Sequence, residues 1–291
     1  MPKMPHVYDR IGRGYTRTRR PDPRIAAAIE GALGDAARIV NVGAGTGAYA
    51  PTSRHVVAVE PSAMMIAQRG RPRTSAVQAV AEALPFADAT FDAALAILTV
   101  HHWTDVAVGL GELRRVAPRR VVLLTWVPGA GEGFWLTRDY LPDILTRDTP
   151  RFPSLDRVAA ALGPPSVTAV PIPADCTDGF LGAARRRPEA YLDPAVRRAI
   201  SVFPLLDPDR LGAGLRRLAE DLASGRWERR YGAVRTRETM DLGYRLIVAT
   251  GWPAPAEDGG PAGPNGGRSS PARTPPGPPG RGPGRPGGRM P

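Results

Sequence analysis

The chain of 291 residues has almost no lysine: of its 39 basic residues, Lys3 is the only one that is not arginine. It has one cysteine, Cys176, which excludes a disulfide within the chain. No apolar run approaches the roughly 18–20 residues that a membrane-spanning helix needs. The longest, Ala93 to Val100, has the size of a strand. The opening residues Met1-Pro-Lys-Met-Pro-His6 lack the apolar stretch of a secretory signal. No His, Cys or Asp spacing suits a metal ion. These absences point to a cytoplasmic protein with neither disulfide nor metal framework.

What is present is arginine, glycine and proline. The formal net charge is +11, and Gly and Pro each number 33. Such a charge suggests a polyanionic partner, but its placement argues against one. Residues 1–24 carry seven basic and two acidic groups, and residues 253–291 carry five against two. The 228 residues between hold 27 basic and 24 acidic groups. The excess therefore sits at the ends, and a nucleic-acid partner is disfavoured. From Pro253 to Pro291, 12 positions are Pro and 11 are Gly, so this segment is predicted to be disordered.

The body alternates strand and helix patterns. Asp22-Pro23 is a cap and first-turn proline before a helix through Leu33. Strands are expected at Arg38–Val42, His55–Glu60, Ser75–Val80, Phe91–Leu98 and Arg120–Trp126. Helices are expected from Ser62 to Arg69, after Thr104-Asp105, and over Leu155–Leu162. Such alternation builds a parallel sheet covered on both faces. Beyond Trp126 the rhythm changes. Ser166–Ile172 and Leu242–Ala249 read as late strands, and residues 177–240 read as a helical insertion without strands.

The strongest local signal is Val40-Asn-Val-Gly-Ala-Gly-Thr-Gly-Ala48. A strand runs into three alternating glycines, with a helix expected after them. Glycine there lets backbone approach a ligand closely, and in a parallel α/β sheet ligands lie beyond the carboxyl ends of the strands. Glu60 ends the next strand, 17 residues after Gly43. An acid at that place can accept both ribose hydroxyls of a nucleoside.

With Val59-Glu-Pro-Ser62, Met64-Met65, Ala83-Leu-Pro-Phe86, Phe91-Asp92 and Glu112-Leu-Arg-Arg-Val116, the order and spacing resemble class I S-adenosylmethionine-dependent methyltransferases of the type 11 kind. The resemblance covers about residues 38–127. It implies a Rossmann-like, doubly wound, mostly parallel seven-stranded sheet with an antiparallel last strand and a helical cap insertion. Residues 1–24 resemble a lid segment, and 25–252 the enzyme domain. The resemblance implies that Asn41, Gly43, Ala44, Gly45 and Gly47 run beneath the cofactor and that Glu60 and Pro61 meet its ribose. Met64 or Met65 would cover the adenine, Ala81 and Glu82 would border it, and Leu98 and Thr99 would lie at the sulfonium. Tyr15 and Arg20 would close over it, Arg20 reaching its carboxylate.

The sequence departs from the family at two places: Asn41 stands where Asp is common, and Val80 where an Asp often accepts from the adenine amine. Gln78, a backbone carbonyl or water would replace the latter. His101 and His102 are the candidate general bases, placed just past the fourth strand. Phe134, Trp135, Tyr140, Phe180 and Tyr191 are candidates for the wall of a small-molecule acceptor site or for the ordinary core of a helical cap, and Arg185-Arg-Arg187 for an anionic substrate or a solvated face. Two other readings compete with a methyltransferase. One is a nicotinamide-dependent oxidoreductase, since Gly43-x-Gly45-x-x-Ala48 fits the looser dinucleotide pattern. The other is a binding protein that keeps the fold without turnover.

Overall fold

A computed structural model describes residues 19–70 and 76–252, all within one compact unit, residues 1–254. The expectations for the lid before Arg19, including Tyr15, and for the segment after Trp252 lie outside the described residues. Helix α1 (Pro23–Ala32) starts as its sequence predicts. Asp22 Oδ1 accepts from the Arg24 amide at 3.0 Å, and Pro23 occupies the first turn. Strand β1 (Arg38–Val42) pairs in parallel with β2 (His55–Val59) and β4 (Ala93–Ile97); β2 pairs with the short β3 (Ala76–Val77). Strand β5 (Arg120–Trp126) lies parallel to β4.

Between these strands run α2 (Ala63–Ala67), capped by Ser62, and α3 (Val106–Val116), capped by Asp105. Helices α4 (Asp143–Asp148) and α5 (Leu155–Leu162) lead to β6 (Ser166–Ala169) and β7 (Ile172–Pro173). The helices α6 (Pro194–Arg198), α7 (Pro208–Ala223), α8 (Arg226–Tyr231) and α9 (Ala233–Thr236) follow. Strand β8 (Thr239–Met240) pairs with β7, and β9 (Tyr244–Thr250) inserts antiparallel between β5 and β6. The sheet order is β3-β2-β1-β4-β5-β9-β6.

Alternate strand residues feed two cores. Ile39, Leu95 and Val122 join Ile25, Ile29 and Leu33 of α1 on one face. Val40, Ala94 and Leu123 join Leu110 and Leu113 of α3 on the other, with Val158 and Leu162 of α5. This two-sided burial explains why the strand sequences are continuously apolar.

Two sequence expectations are corrected. The glycine loop leads into turns, not a helix, across residues 43–54. Pro51 disfavours helical backbone before it, and Tyr49 fills the space, buried and at φ 61°. Arg54 then ties the connection to α1 through Glu30 at 2.6 Å and through the carbonyls of Gly34 and Ala36. The other correction concerns residues 177–240: they include strand β8, and before the 16-residue α7 the helical segments are short because prolines at 188, 194, 204 and 208 restart the chain.

Candidate functional site

Two cavities open at the carboxyl edge of the sheet. The smaller, about 140 Å³, lies between the β1 loop and the ends of β2 and β4. Its floor is Gly43, Ala44 and Gly45; Glu60, Pro61 and Met65 stand beside them. Ala81, Glu82, Leu98 and Thr99 complete the set that the sequence indicated. The structure brings these ten residues together. It leaves out Arg20, which is exposed, and Met64, Asn41 and Gly47. Asn41 is buried within β1. Gly47 faces the Arg69 guanidinium, which would lie 3.3 Å from a Cβ there. Arg19, not Arg20, reaches the cavity.

Glu60 organises the floor. It is 4% exposed, and its Oε2 accepts from the Gly45 amide at 2.8 Å while Oε1 accepts from the Ser62 amide at 2.9 Å. From below, Arg69 donates to the Gly45 carbonyl at 3.0 Å. Burial pushes the Arg69 guanidinium down and the nearby Glu60 charge pulls it up. A Cβ at Gly43 would come within 2.0 Å of Thr99 Oγ1, on backbone at φ 69°. Gly43→Ala is therefore expected to cost about 2–4 kcal/mol of stability, the sum of left-handed strain and overpacking. Denaturant unfolding of the variant checks it; an unchanged midpoint would contradict the packing described.

Of the substitutes for Asp at Val80, Gln78 is turned away: its amide donates to the Pro61 carbonyl at 3.0 Å, and it does not line the cavity. Val80, Thr46, Tyr49, Trp103 and Thr104 do line it; Tyr49 and Trp103 carried no sequence signal. Glu82 accepts from the amides of Thr104 and Asp105 at 2.6 and 3.1 Å, so it braces the wall.

The larger cavity, about 370 Å³, lies between the sheet edge and residues 129–152, 180–182 and 199–202. Its wall is mostly apolar and aromatic, including Trp126, Phe134, Phe152 and Phe180. Trp135, Tyr140 and Tyr191, expected there, pack instead with Trp227 and Tyr231 into the aromatic core beside it. Arg185 is neither at the cavity nor solvated. It is fully buried and donates to the carbonyls of Ile172, Arg237 and Glu238 at 3.1, 2.8 and 3.0 Å.

The two histidines part. His102 borders the smaller cavity, its Nδ1 3.2 Å from the Arg151 guanidinium. Because arginine only donates, His102 Nδ1 accepts and its proton sits on Nε2. His101 lines the larger cavity, stacked on Phe152 with ring centres 4.2 Å apart. Its Nδ1 is buried without a hydrogen-bond partner. Dense apolar surroundings, then the charges of His102, Arg151 and Arg19, hold its pKa well below 6.5.

The unfolded chain takes up a proton at His101 below about pH 6.5 while the folded one resists it, so stability is lost as pH falls through that value. Asp148, pushed up by burial, acts with the opposite sign. The readout is therefore a comparison of melting temperatures at about pH 7.5 and pH 5.5. His101→Phe, which keeps the ring stack, is expected to lose less than the wild type; equal losses would overturn the assignment.

The larger and smaller cavities share Arg19 and Leu98, and Leu98 holds φ 50° just past β4. The sheet order, with its antiparallel strand inserted second from the edge, and the nucleoside-sized cavity at its carboxyl end define the methyltransferase class of Rossmann-like folds. Comparison narrows this. A methyltransferase domain family matches residues 40–124. A protein of Anabaena variabilis, proposed as a methyltransferase from an antibiotic biosynthesis pathway, is 35% identical. The match covers 80% of this chain and 98% of that one with a TM-score of 0.73. A Thermotoga maritima methyltransferase, proposed as a histamine N-methyltransferase, shares the fold at 18% identity, 85% and 99% coverage and a TM-score of 0.50. No curated protein matches. The chain belongs to the class I S-adenosylmethionine-dependent methyltransferases, of the type 11 kind.

S-adenosylmethionine is accordingly its cofactor, and the residues present fit it. A buried carboxylate, Glu60, stands just past β2 beside the glycine loop, and a side chain at Gly43 would fill the space against Thr99. The nicotinamide reading falls with this membership and with the antiparallel β9, since the dinucleotide-binding sheet is parallel throughout in the order 3-2-1-4-5-6. Among the described residues no helix is long and apolar enough to cross a membrane, and no group of His, Cys, Asp or Glu could hold a metal.

Proposed function

We propose that the protein transfers a methyl group from S-adenosylmethionine to a small-molecule acceptor held in the larger cavity. The observation that carries this reading is the junction of the two cavities at Arg19 and Leu98. It supports a cofactor site and an acceptor site lying end to end, as an in-line displacement needs.

In this reading Gly43, Ala44 and Gly45 would pass beneath the cofactor, and Glu60 would accept from its ribose hydroxyls. Met65 covers one adenine face, with the Ala81 backbone and Glu82 at the ring edge. Leu98 and Thr99 border the reacting methyl. Bound there, the cofactor supplies an electrophilic methyl group. His101 accepts the acceptor's proton at Nε2, the nitrogen not sealed in the core, and its depressed pKa keeps it neutral and ready at neutral pH. The apolar wall excludes water from the displacement. The protein acts as a cytoplasmic enzyme on a metabolite, with residues 1–24 closing over the site.

Titration calorimetry tests the cofactor half. Micromolar binding of S-adenosylhomocysteine and none of NAD is expected, and the reverse would refute the reading. Incubation with labelled S-adenosylmethionine and a metabolite extract, read by mass, tests transfer. His101→Gln is expected to reduce turnover by about 100-fold or more, in line with general-base contributions, while leaving S-adenosylhomocysteine affinity intact. Wild-type turnover in that variant would remove the base from the mechanism.

A further inference from the structure

We infer that the acceptor is an apolar molecule presenting a hydrogen-bond donor, a hydroxyl or an N–H, to the open carboxylate oxygen of Asp148 in the wall of the larger cavity. This rests on the methyltransferase reading above and names the substrate class of its acceptor site.

Asp148 ends α4 and is about nine-tenths buried. It lines the larger cavity. Its Oδ1 accepts from Arg151 at 3.1 Å, whereas among the described residues no hydrogen bond reaches its Oδ2. A carboxylate oxygen that holds no protein donor in a cavity wall is open to a donor of the ligand. The arginines of this wall do not offer the same to an anion. Arg151 is committed to Asp148 and to His102 Nδ1 at 3.1 and 3.2 Å. Arg138 is paired with Asp139 at 2.8 Å, and Arg19 with Asp178 at 2.6 Å. Arg19 and Arg138, which line the wall, and Arg151 behind it each already hold a carboxylate or an imidazole, while the acid keeps an acceptor oxygen open. The cavity therefore selects donors over carboxylates and phosphates.

The same wall carries the base. Phe152 follows Asp148 by one helical turn, its amide donating to the Asp148 carbonyl at 3.2 Å, and its ring stacks on His101. A donor group at Asp148 thus lies on the His101 side of the cavity, and the remainder of the molecule rests against Phe134, Phe180, Ile200 and Leu242. Asp148 is a specificity-determining residue in this arrangement: it holds the polar edge of the acceptor, and the apolar body sets affinity.

Three matched probes test this: a naphthol, its methyl ether and the corresponding naphthoate, titrated by calorimetry into the free protein and into protein saturated with S-adenosylhomocysteine. In the wild type the naphthol should bind about tenfold more tightly than the ether, the value of one hydrogen bond to a charged group, with the naphthoate weakest. Asp148→Asn should shrink the naphthol-to-ether ratio to about threefold or less. Asp148→Ala should tighten naphthoate about tenfold, because Arg151 loses its carboxylate. The inference is overturned if the ether or the naphthoate matches the naphthol in the wild type, if no probe binds, or if neither variant changes the ratios. S-adenosylhomocysteine affinity, measured first in every protein, shows that the variants are folded. Its absence from the wild type would instead refute the methyltransferase reading, with the probe ratios in the free protein still deciding on Asp148.

Discussion

Replacing Asp178 by alanine is expected to destabilise the protein by about 3–5 kcal/mol, the cost of leaving a buried ion pair half made. The side chain of Asp178 is fully buried and that of Arg19 is 11% exposed. Arg19 donates to both carboxylate oxygens, at 2.6 and 3.2 Å, and the Tyr49 hydroxyl donates to Oδ2 at 3.0 Å. Tyr49 in turn accepts from the Asp22 amide at 3.2 Å. One carboxylate thus joins the segment before α1, the glycine-loop connection and the cap. Burial, then the Asp178 charge, pushes the Tyr49 hydroxyl far above its usual range, so it stays a donor at any working pH. Without Asp178, Tyr49 keeps its left-handed backbone at φ 61° with one fewer restraint. A fall in melting temperature of roughly 10 °C is expected for a domain of this size. Asp178→Asn, which still accepts from Tyr49, should lose less. A melting temperature within about two degrees of wild type for Asp178→Ala would show that the network does not carry stability.

The sheet and its glycine loop were readable because burial on two faces demands long apolar strands, and because Asp22, Ser62 and Asp105 mark helix starts chemically. Strand β5 falls on the predicted residues, Arg120–Trp126, and α5 on Leu155–Leu162. The missing helix after Gly47 was only half readable: Pro51 disfavours helical backbone before it, but the glycine pattern fits either continuation. The choice is made at a distance, by Tyr49 reaching Asp178, 129 residues away.

Long-range pairing also explains the confusion of Arg19 with Arg20. Adjacent arginines look alike in sequence, and only the buried acid decides which turns inward. Arg185 is a similar case: a run of three arginines reads as solvent-facing, yet the middle of the cap has carbonyl ends to satisfy and takes one guanidinium inside. The acceptor wall was the least legible part. Aromatic residues serve core and cavity equally well, and Phe134 and Trp135, neighbours in sequence, take one role each.

Glu60→Ala is expected to weaken S-adenosylhomocysteine binding by about 3 kcal/mol, roughly 100-fold. Two losses add. The first is the charge-assisted acceptance from the ribose hydroxyls proposed above. The second is internal: the Gly45 and Ser62 amides lose the carboxylate that holds them at 2.8 and 2.9 Å, so the loop beneath the cofactor and the start of α2 loosen together. Arg69 also loses the nearby Glu60 charge that offsets its burial. The two losses separate experimentally. Glu60→Gln retains one acceptor oxygen and much of the shape, so it should cost about half as much. The Ala variant should also gain protease sensitivity near Gly45, which a ribose contact alone would not produce. Unchanged affinity in both variants would move the ribose site elsewhere. Lost affinity in Ala with none in Gln would assign Glu60 to holding the loop rather than to the nucleoside.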